Sequence, residues 1–277
     1  MALNSLRLAF IGAGNMAEAL VRGLVESKAV LAKNIIVSDP RTERGQLFKD
    51  KYGVDVGDTN GEAVAVADIV ILAIKPQILN RVAIEIAGFL KPTALVISVA
   101  AGVEISDIAA SIGPSARIVR TMPNICAVVS RAATAMVIGP NATATDRENV
   151  RAIFEAVGIV VEVEESLIDA VTGLSGSGPA YVFMIIEALS DAGVKVGLPR
   201  YQSQLLAAQT VLGSARLLMD TGEHPGVLKD QVTSPGGTAI AGLHTLEEGG
   251  LRTTLINAVV SATNRSRELG EERKKRN

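Results

Sequence analysis

Leu8-Ala9-Phe10-Ile11-Gly12-Ala13-Gly14-Asn15-Met16-Ala17 joins a short apolar run to a glycine turn and the first residues of a helical pattern. A turn of this kind leaves backbone N–H groups unpaired at a helix start, where the peptide dipoles also favour negative charge. It suits a pyrophosphate. The Gly-x-Gly-x-x-Ala pattern is weak by itself, because glycine turns serve many folds. Its context carries the weight: a predicted strand precedes it, a helix opens at Met16, and a second strand ends at Ser38-Asp39-Pro40-Arg41, where an adenosine ribose belongs. Asp39 could accept a hydrogen bond from a free ribose 2′-OH, whereas Ser38 and Arg41 could hold a 2′-phosphate, so this stretch leaves NAD and NADP both open. Asp39 and Arg41 also read as ordinary turn residues ahead of a helix.

Outward from this unit, β-branched runs alternate with helical patterns as far as Val163, which predicts an α/β chain with a doubly wound parallel sheet covered on both faces. Strands are expected over 6–11, 34–38, 67–73, 94–99, 117–121, 133–138 and 159–163, and helices over 16–27, 42–52, 61–65, 77–88, 105–112 and 146–157. After Glu165 the β pattern stops, and the rest reads as helices punctuated by Gly178-Pro179, Gly197-Leu198-Pro199, His224-Pro225-Gly226 and Ser234-Pro235-Gly236-Gly237. The expected division is a dinucleotide-binding domain over 1–165 and an all-helical domain over 166–277. Within the latter, 181–186 is apolar on every face and must be buried all round. About 110 residues of helix are few for a core that hides it, so helices from a second subunit are expected.

The helical part holds a second polar glycine turn, Ser234-Pro235-Gly236-Gly237-Thr238, which leads straight into a helix and offers a seat for a small carboxylate. Two anion seats in one chain suggest a dinucleotide and an acidic substrate. The 277 residues are 48% hydrophobic, enough for two ordinary domains and against disorder. A net charge of −2, from 27 basic and 29 acidic residues, gives no reason to expect nucleic acid or an anionic membrane as partner. Residues 1–5 show no secretion signal, and apolar runs such as 94–103 stop well short of the ~20 residues that span a bilayer, so the chain reads as soluble. A single cysteine, Cys126, excludes an intrachain disulfide and a multi-cysteine metal site, and it fits a reducing cytoplasm. With no histidine near it in sequence, Cys126 reads as a packed core thiol. His224 and His244 lack metal-site spacing, so no metal is expected.

Other stretches have a structural and a functional reading. Thr59-Asn60-Gly61-Glu62 fits a capping box, which leaves Asn60 free to face the crevice. Ala73-Ile74-Lys75-Pro76 closes a strand at the carboxyl edge, where open α/β sheets bind ligands; Lys75 either faces the cofactor or is a solvated surface lysine. The small residues of Ser98-Val99-Ala100-Ala101-Gly102 would let a flat nicotinamide approach the backbone. Met122-Pro123-Asn124 ends another strand at the same edge. Residues 176–181 read as a helix N-terminus with a glycine turn and an early proline. The tail 271–277 reads as a solvated charge run that suits a helix C-terminus.

With these blocks in order, the chain resembles the pyrroline-5-carboxylate reductase family across nearly its whole length. The resemblance is carried by Phe10-Ile11-Gly12-Ala13-Gly14-Asn15-Met16-Ala17, Ala73-Ile74-Lys75-Pro76, Ala100-Ala101-Gly102-Val103, the run from Asp169 to Tyr181, His224-Pro225-Gly226, and Ser234-Pro235-Gly236-Gly237-Thr238. It implies reduction of the cyclic imine 1-pyrroline-5-carboxylate to L-proline by NAD(P)H, the last step of proline biosynthesis. It also implies a Rossmann-like sheet domain followed by an all-helical dimerisation domain, hence a homodimer, in some members built into a larger ring.

Carried over by motif, Gly12, Gly14, Asn15 and Met16 would hold the pyrophosphate and Ser38 and Asn60 the adenosine end, with Arg41 added from the reading above. Ala73, Lys75, Pro76 and Ala100 would flank the cofactor, expected to be NADPH with NADH possible. Ser234, Gly236, Gly237 and Thr238 would hold the substrate carboxylate, with Thr238 as the catalytic candidate. Many relatives carry a threonine where this chain has Ala239, so the ring nitrogen is left to Thr238 or a water. The reaction asks for little, because a protonated imine is already an electrophile and needs placement more than a general acid.

Two alternatives belong to other classes. A 3-hydroxyacid dehydrogenase of the same build needs a base for alcohol oxidation, and that group places a lysine in the helix after its second-domain glycine turn; 181–189 contains none. A dinucleotide-binding regulator without turnover would need no substrate seat, against which the 234–238 turn counts.

Overall fold

Through residue 162 the chain alternates β1 (Leu8–Ile11), α1 (Asn15–Glu26), β2 (Ile35–Ser38), α2 (Thr42–Tyr52), β3 (Asp55–Val56), α3 (Asn60–Ala65), β4 (Ile69–Leu72), α4 (Pro76–Ala87), β5 (Leu95–Ser98), α5 (Ile105–Ile112), β6 (Arg117–Met122), β7 (Ala132–Ile138), α6 (Ala144–Glu155) and β8 (Gly158–Glu162). These are read from a computed structural model that describes residues 2–276. The strands form one sheet of order β3-β2-β1-β4-β5-β6-β7-β8.

The central strands β2, β1, β4 and β5 are buried on both faces, as a sheet covered on two sides requires. Side chains alternate along each strand. Phe10, Ile35, Val37, Ile69, Ile71 and Ile97 join a core with Leu20 and Leu24 of α1, Phe48 of α2 and Phe154 of α6. Ala9, Ile11, Ile36, Val70, Leu72 and Val96 join the opposite core with Val64 of α3, Leu79 and Ile86 of α4 and Ile108 of α5.

Two features depart from expectation. The sheet is parallel from β3 through β6, but β7 pairs antiparallel with β6, and β8 follows β7. Between β6 and β7 lies only a short 3-10 turn, Ile125–Val129. A parallel return needs a crossover of about a dozen residues or more, usually a helix, and there is no room for one. The second feature is β3, an exposed two-residue edge strand too short to leave a periodic signal.

The remaining elements are α7 (Ile168–Val171), a π-helical turn over Thr172–Gly176, α8 (Gly178–Lys195), α9 (Arg200–Thr221), α10 (Pro225–Gln231), α11 (Thr238–Glu248) and α12 (Leu251–Arg276). The chain divides into two compact units: one runs to Gly176 and takes back the chain from Ser261, and the other is Ser177–Val260. In the second unit α8 and α9 pack as a pair. The Ser203 hydroxyl donates to the Ser190 carbonyl at 2.6 Å, and Arg200 donates to the Ser190 hydroxyl at 3.1 Å. Gly193 permits this approach, since a Cβ there would meet the Ser203 oxygen at 2.0 Å.

Within one chain the apolar segment of α8 is not enclosed: Val182, Phe183 and Met184 are 40%, 63% and 71% exposed. Their burial needs a surface from outside the chain. Cys126, expected in the core, is half-buried, because the turn that carries it leaves Ile125, Val128 and Val129 open as well. The tail is a solvated charge run only in part: Glu271, Lys274 and Lys275 are exposed, but Arg273 is drawn in to pair with Asp107, and Lys274 pairs with Glu104 at 2.7 Å; Asn277 lies outside the described residues. Among the described residues no helix is long and apolar enough to cross a membrane.

Candidate functional site

At β1 the strand order reverses, with β2 on one side and β4 on the other, so the connections after β1 and β4 leave on opposite sides and open a crevice at their carboxyl ends. A cavity of about 690 Å³ lies there, within the range of small-molecule sites. It is lined by Gly12 and Gly14 after β1, Ser38 to Arg41 after β2, Asp58 to Asn60 at the start of α3, and Ala73 to Lys75 after β4.

Gly12 stands where only glycine fits. Its φ is +98°, and a Cβ would meet the Ala73 carbonyl oxygen at 2.5 Å. Beside it, the buried Ala13 is held at both backbone groups: its N–H donates to the Asp39 carboxylate at 2.8 Å, and its carbonyl accepts from Arg44 Nε at 2.7 Å. Gly14 then caps α1 without a side-chain bond, so the first N–H groups of the helix have no protein partner from the cap and suit an anion.

Arg44 is itself held by Glu18 at 2.9 Å, where Lys51 and Tyr52 also converge. Burial raises the Glu18 pKa, but hydrogen bonds from Lys51, Arg44 and Tyr52 outweigh it and keep the carboxyl below its usual range. Asp39 behaves alike. Burial pushes it up, while bonds from the Arg41 guanidinium and from the N–H groups of Ala13 and Arg41 hold it below the usual range.

Asn60 accepts from the Ser38 hydroxyl at 2.9 Å and donates to Glu85 at 3.0 Å, which orients its amide at the cavity. Thr59 caps α3 through the Glu62 N–H at 3.1 Å, the Thr59 half of the capping box its motif suggests. Lys75 is exposed at the mouth, as the N-cap of α4.

Four expected residues do not line the cavity. Asn15 is exposed at the first position of α1, Met16 packs against the first core, and Pro76 opens α4. Ala100 is 3% exposed, with its N–H bonded to the Ser98 hydroxyl at 3.2 Å. Conversely, Ile78, Arg81, Val82 and Glu85 of α4 line it and went unread. Their signal was the spacing i, i+3, i+4, i+7 directly behind Lys75-Pro76, one helix face at the ligand edge. Asn124 is structural: it accepts from the N–H of Cys126 and donates to the Ser175 carbonyl at 3.0 Å.

In the second unit, Gly236 takes φ +65° and Gly237 caps α11 with no side-chain bond. Ser234 and Thr238 are exposed, and the leading N–H groups of α11 lack intrahelical acceptors. The two histidines have local partners. His224 accepts from the Gly226 N–H at 3.1 Å and caps α10, while His244 lies 3.4 Å from Glu248 one turn along α11.

A family profile for pyrroline-5-carboxylate reductase dimerisation matches residues 165–269, and one described as NADP oxidoreductase, coenzyme F420-dependent, matches residues 7–102. The pyrroline-5-carboxylate reductase of Arabidopsis thaliana is 48% identical over 269 residues, 96% of each chain. This chain belongs to the pyrroline-5-carboxylate reductase family. Among solved structures, that of the Coxiella burnetii pyrroline-5-carboxylate reductase matches with a TM-score of 0.92 at 38% identity, covering 96% of this chain and 99% of that one. The Plasmodium falciparum pyrroline carboxylate reductase, solved with NADP bound, matches with a TM-score of 0.86 at 33% identity, covering 97% and 99%. The sheet is thus the Rossmann-like part of a pyrroline-5-carboxylate reductase. The exposed apolar residues of α8 fall within the family's dimerisation match.

Proposed function

We propose that this chain reduces 1-pyrroline-5-carboxylate to L-proline, the last step of proline biosynthesis, with NADPH as hydride donor and NADH as a second donor. The observation that carries the reading is the glycine turn held at both backbone groups of Ala13 and opening on the cavity at the strand-order reversal. The residues present fit a dinucleotide: Gly12 lets the turn close tightly against Ala73, Gly14 has open space where a Cβ would stand, and the start of α1 offers N–H groups to a pyrophosphate. When bound, NADPH supplies a hydride to the imine carbon.

The protein's task is placement. Gly12, Gly14, Asn15 and Met16 seat the pyrophosphate through the backbone at the start of α1. Ser38, Arg41 and Asn60 hold the adenosine end, and Ala73, Lys75, Pro76 and Ala100 flank the cofactor. Ser234, Gly236, Gly237 and Thr238 hold the substrate carboxylate at the start of α11, and Thr238 aligns the ring in place of a hydroxyl at 239. On this reading 1–165 serves the cofactor and 166–277 serves substrate and dimerisation. The working protein is a homodimer, joined further into a ring of dimers, in the cytoplasm.

No lysine lies in the first turns of α8, so alcohol chemistry lacks its base there. Purified protein tested with NADPH against the cyclic imine and a 3-hydroxy acid decides the matter. Imine-dependent loss of nicotinamide absorbance is the expected result; turnover of the hydroxy acid alone would reverse the assignment.

A further inference from the structure

We infer that the last turns of α12 position the loop that follows β5, which the proposed function sets beside the nicotinamide, with Arg273 as the positioning residue. The inference rests on the cofactor assignment proposed above. That loop leaves β5 after Ser98, passes through Ala100 and Gly102, and enters α5 at Ile105. Gly102 takes φ +67°, a conformation that favours glycine, and it lies in ordinary van der Waals range of Gly270 on α12, where a Cβ would stand 3.9 Å from the Gly270 backbone.

One guanidinium holds both ends of the loop's exit. Arg273 Nε donates to the Gly102 carbonyl at 3.0 Å, and its terminal nitrogen pairs with the Asp107 carboxylate. Asp107 also accepts from the Glu104 N–H at 3.2 Å, closing the cap of α5. Lys274 adds a pair with Glu104 at 2.7 Å, and farther back Ser266 donates to Asp169 at 2.6 Å.

A basic residue at a helix C-terminus needs no partner but water and the helix dipole. Arg273 is instead 14% exposed and Asp107 23%, so the pair sits where solvent screens it little and its directed bonds set geometry. Hydride transfer depends on near-attack placement, which errors of about 1 Å spoil. A loop tied at Gly102 gives the preceding Ala100 and Ala101 a fixed floor, reached from a residue about 170 positions later in the chain.

The test uses full-length Arg273→Ala and Arg273→Lys. Hydrogen exchange of the protein alone should show faster exchange over 102–107 in Arg273→Ala, with Arg273→Lys in between because lysine keeps one of the two bonds. In turnover with NADPH and the cyclic imine, kcat should fall about three- to tenfold while the NADPH dissociation constant changes less than about twofold. Unchanged exchange would overturn the proposal, as would faster exchange with unchanged kcat, which marks a merely structural tie. If the wild-type protein binds NADPH but never oxidises it with the imine, the substrate assignment fails instead. The positioning claim is then decided by the fluorescence of bound nicotinamide: a difference between Arg273→Ala and wild type supports it, and identical spectra overturn it.

Discussion

Replacing Asp39 by alanine separates two roles that one carboxylate can play at this position. The residue ending the second strand of a dinucleotide fold often accepts from the ribose 2′-OH. Here the carboxylate instead accepts from the Ala13 N–H at 2.8 Å, the Arg41 N–H at 3.0 Å and the Arg41 guanidinium at 2.9 and 3.0 Å. Arg41 is exposed, so its bonds are screened and contribute little. Ala13 is fully buried, and losing its acceptor strands an N–H at a cost of about 1–3 kcal/mol. That cost falls on the glycine turn, so kcat/KM should drop about five- to a hundredfold for NADPH and NADH alike, with a lower Tm. Steady-state kinetics with both cofactors, beside thermal unfolding, measures it. Selective loss of NADH activity with NADPH intact or improved would refute the reasoning and return Asp39 to the ribose.

Arg41→Ala should lower kcat/KM for NADPH about ten- to a hundredfold while sparing NADH, since a charge-assisted bond to the 2′-phosphate is worth roughly 1.5–3 kcal/mol; equal losses would place the phosphate elsewhere. Thr238→Val removes one hydroxyl from the proposed carboxylate seat and keeps the backbone N–H groups, so kcat/KM for the imine should fall about ten- to a hundredfold with cofactor affinity unchanged. Equal kinetics in mutant and parent would reduce the hydroxyl to a helix-start residue. Glu18 and Asp39 have lowered pKa values, so the stability they contribute is full above the usual carboxylate range and is lost as pH falls below about 4. Acid unfolding of Asp39→Ala should accordingly show a shallower pH dependence of Tm there than wild type. Sedimentation at micromolar concentration should give at least a dimer, because Phe183 and Met184 are exposed in one chain; a monomer would contradict the homodimer.

Periodicity made the sheet legible. Strands such as Leu8–Ile11 and Ile69–Leu72 are short apolar runs bounded by turn residues, and alternation with helical patterns reports a parallel, doubly wound sheet. The reversal at β7 was not legible that way, because strand direction lies in the length of the connection rather than in the strand's residues. Gly12 and Gly14 were readable as a cradle from local pattern alone. The tie between Ala13, Asp39 and Arg44 was not, since it joins residues 26 and 31 positions apart through a backbone N–H and carbonyl that carry no side-chain signal. On sequence alone Asp39 therefore stays open between a ribose acceptor and a turn residue. The tail misled for the same reason: Arg273 resembles any basic residue ending a helix until Gly102 and Asp107 are brought beside it.

The most direct test of the account follows the hydride itself. Purified protein is incubated with the cyclic imine and NADPH deuterated at either face of the nicotinamide C4, and the product is analysed by mass and NMR. The account predicts L-proline carrying one deuterium on the ring carbon that was the imine carbon, from one of the two deuterated cofactors and not the other, in proportion to NADPH consumed. Proline free of deuterium from both cofactors, or NADPH consumed without proline formed, would contradict it.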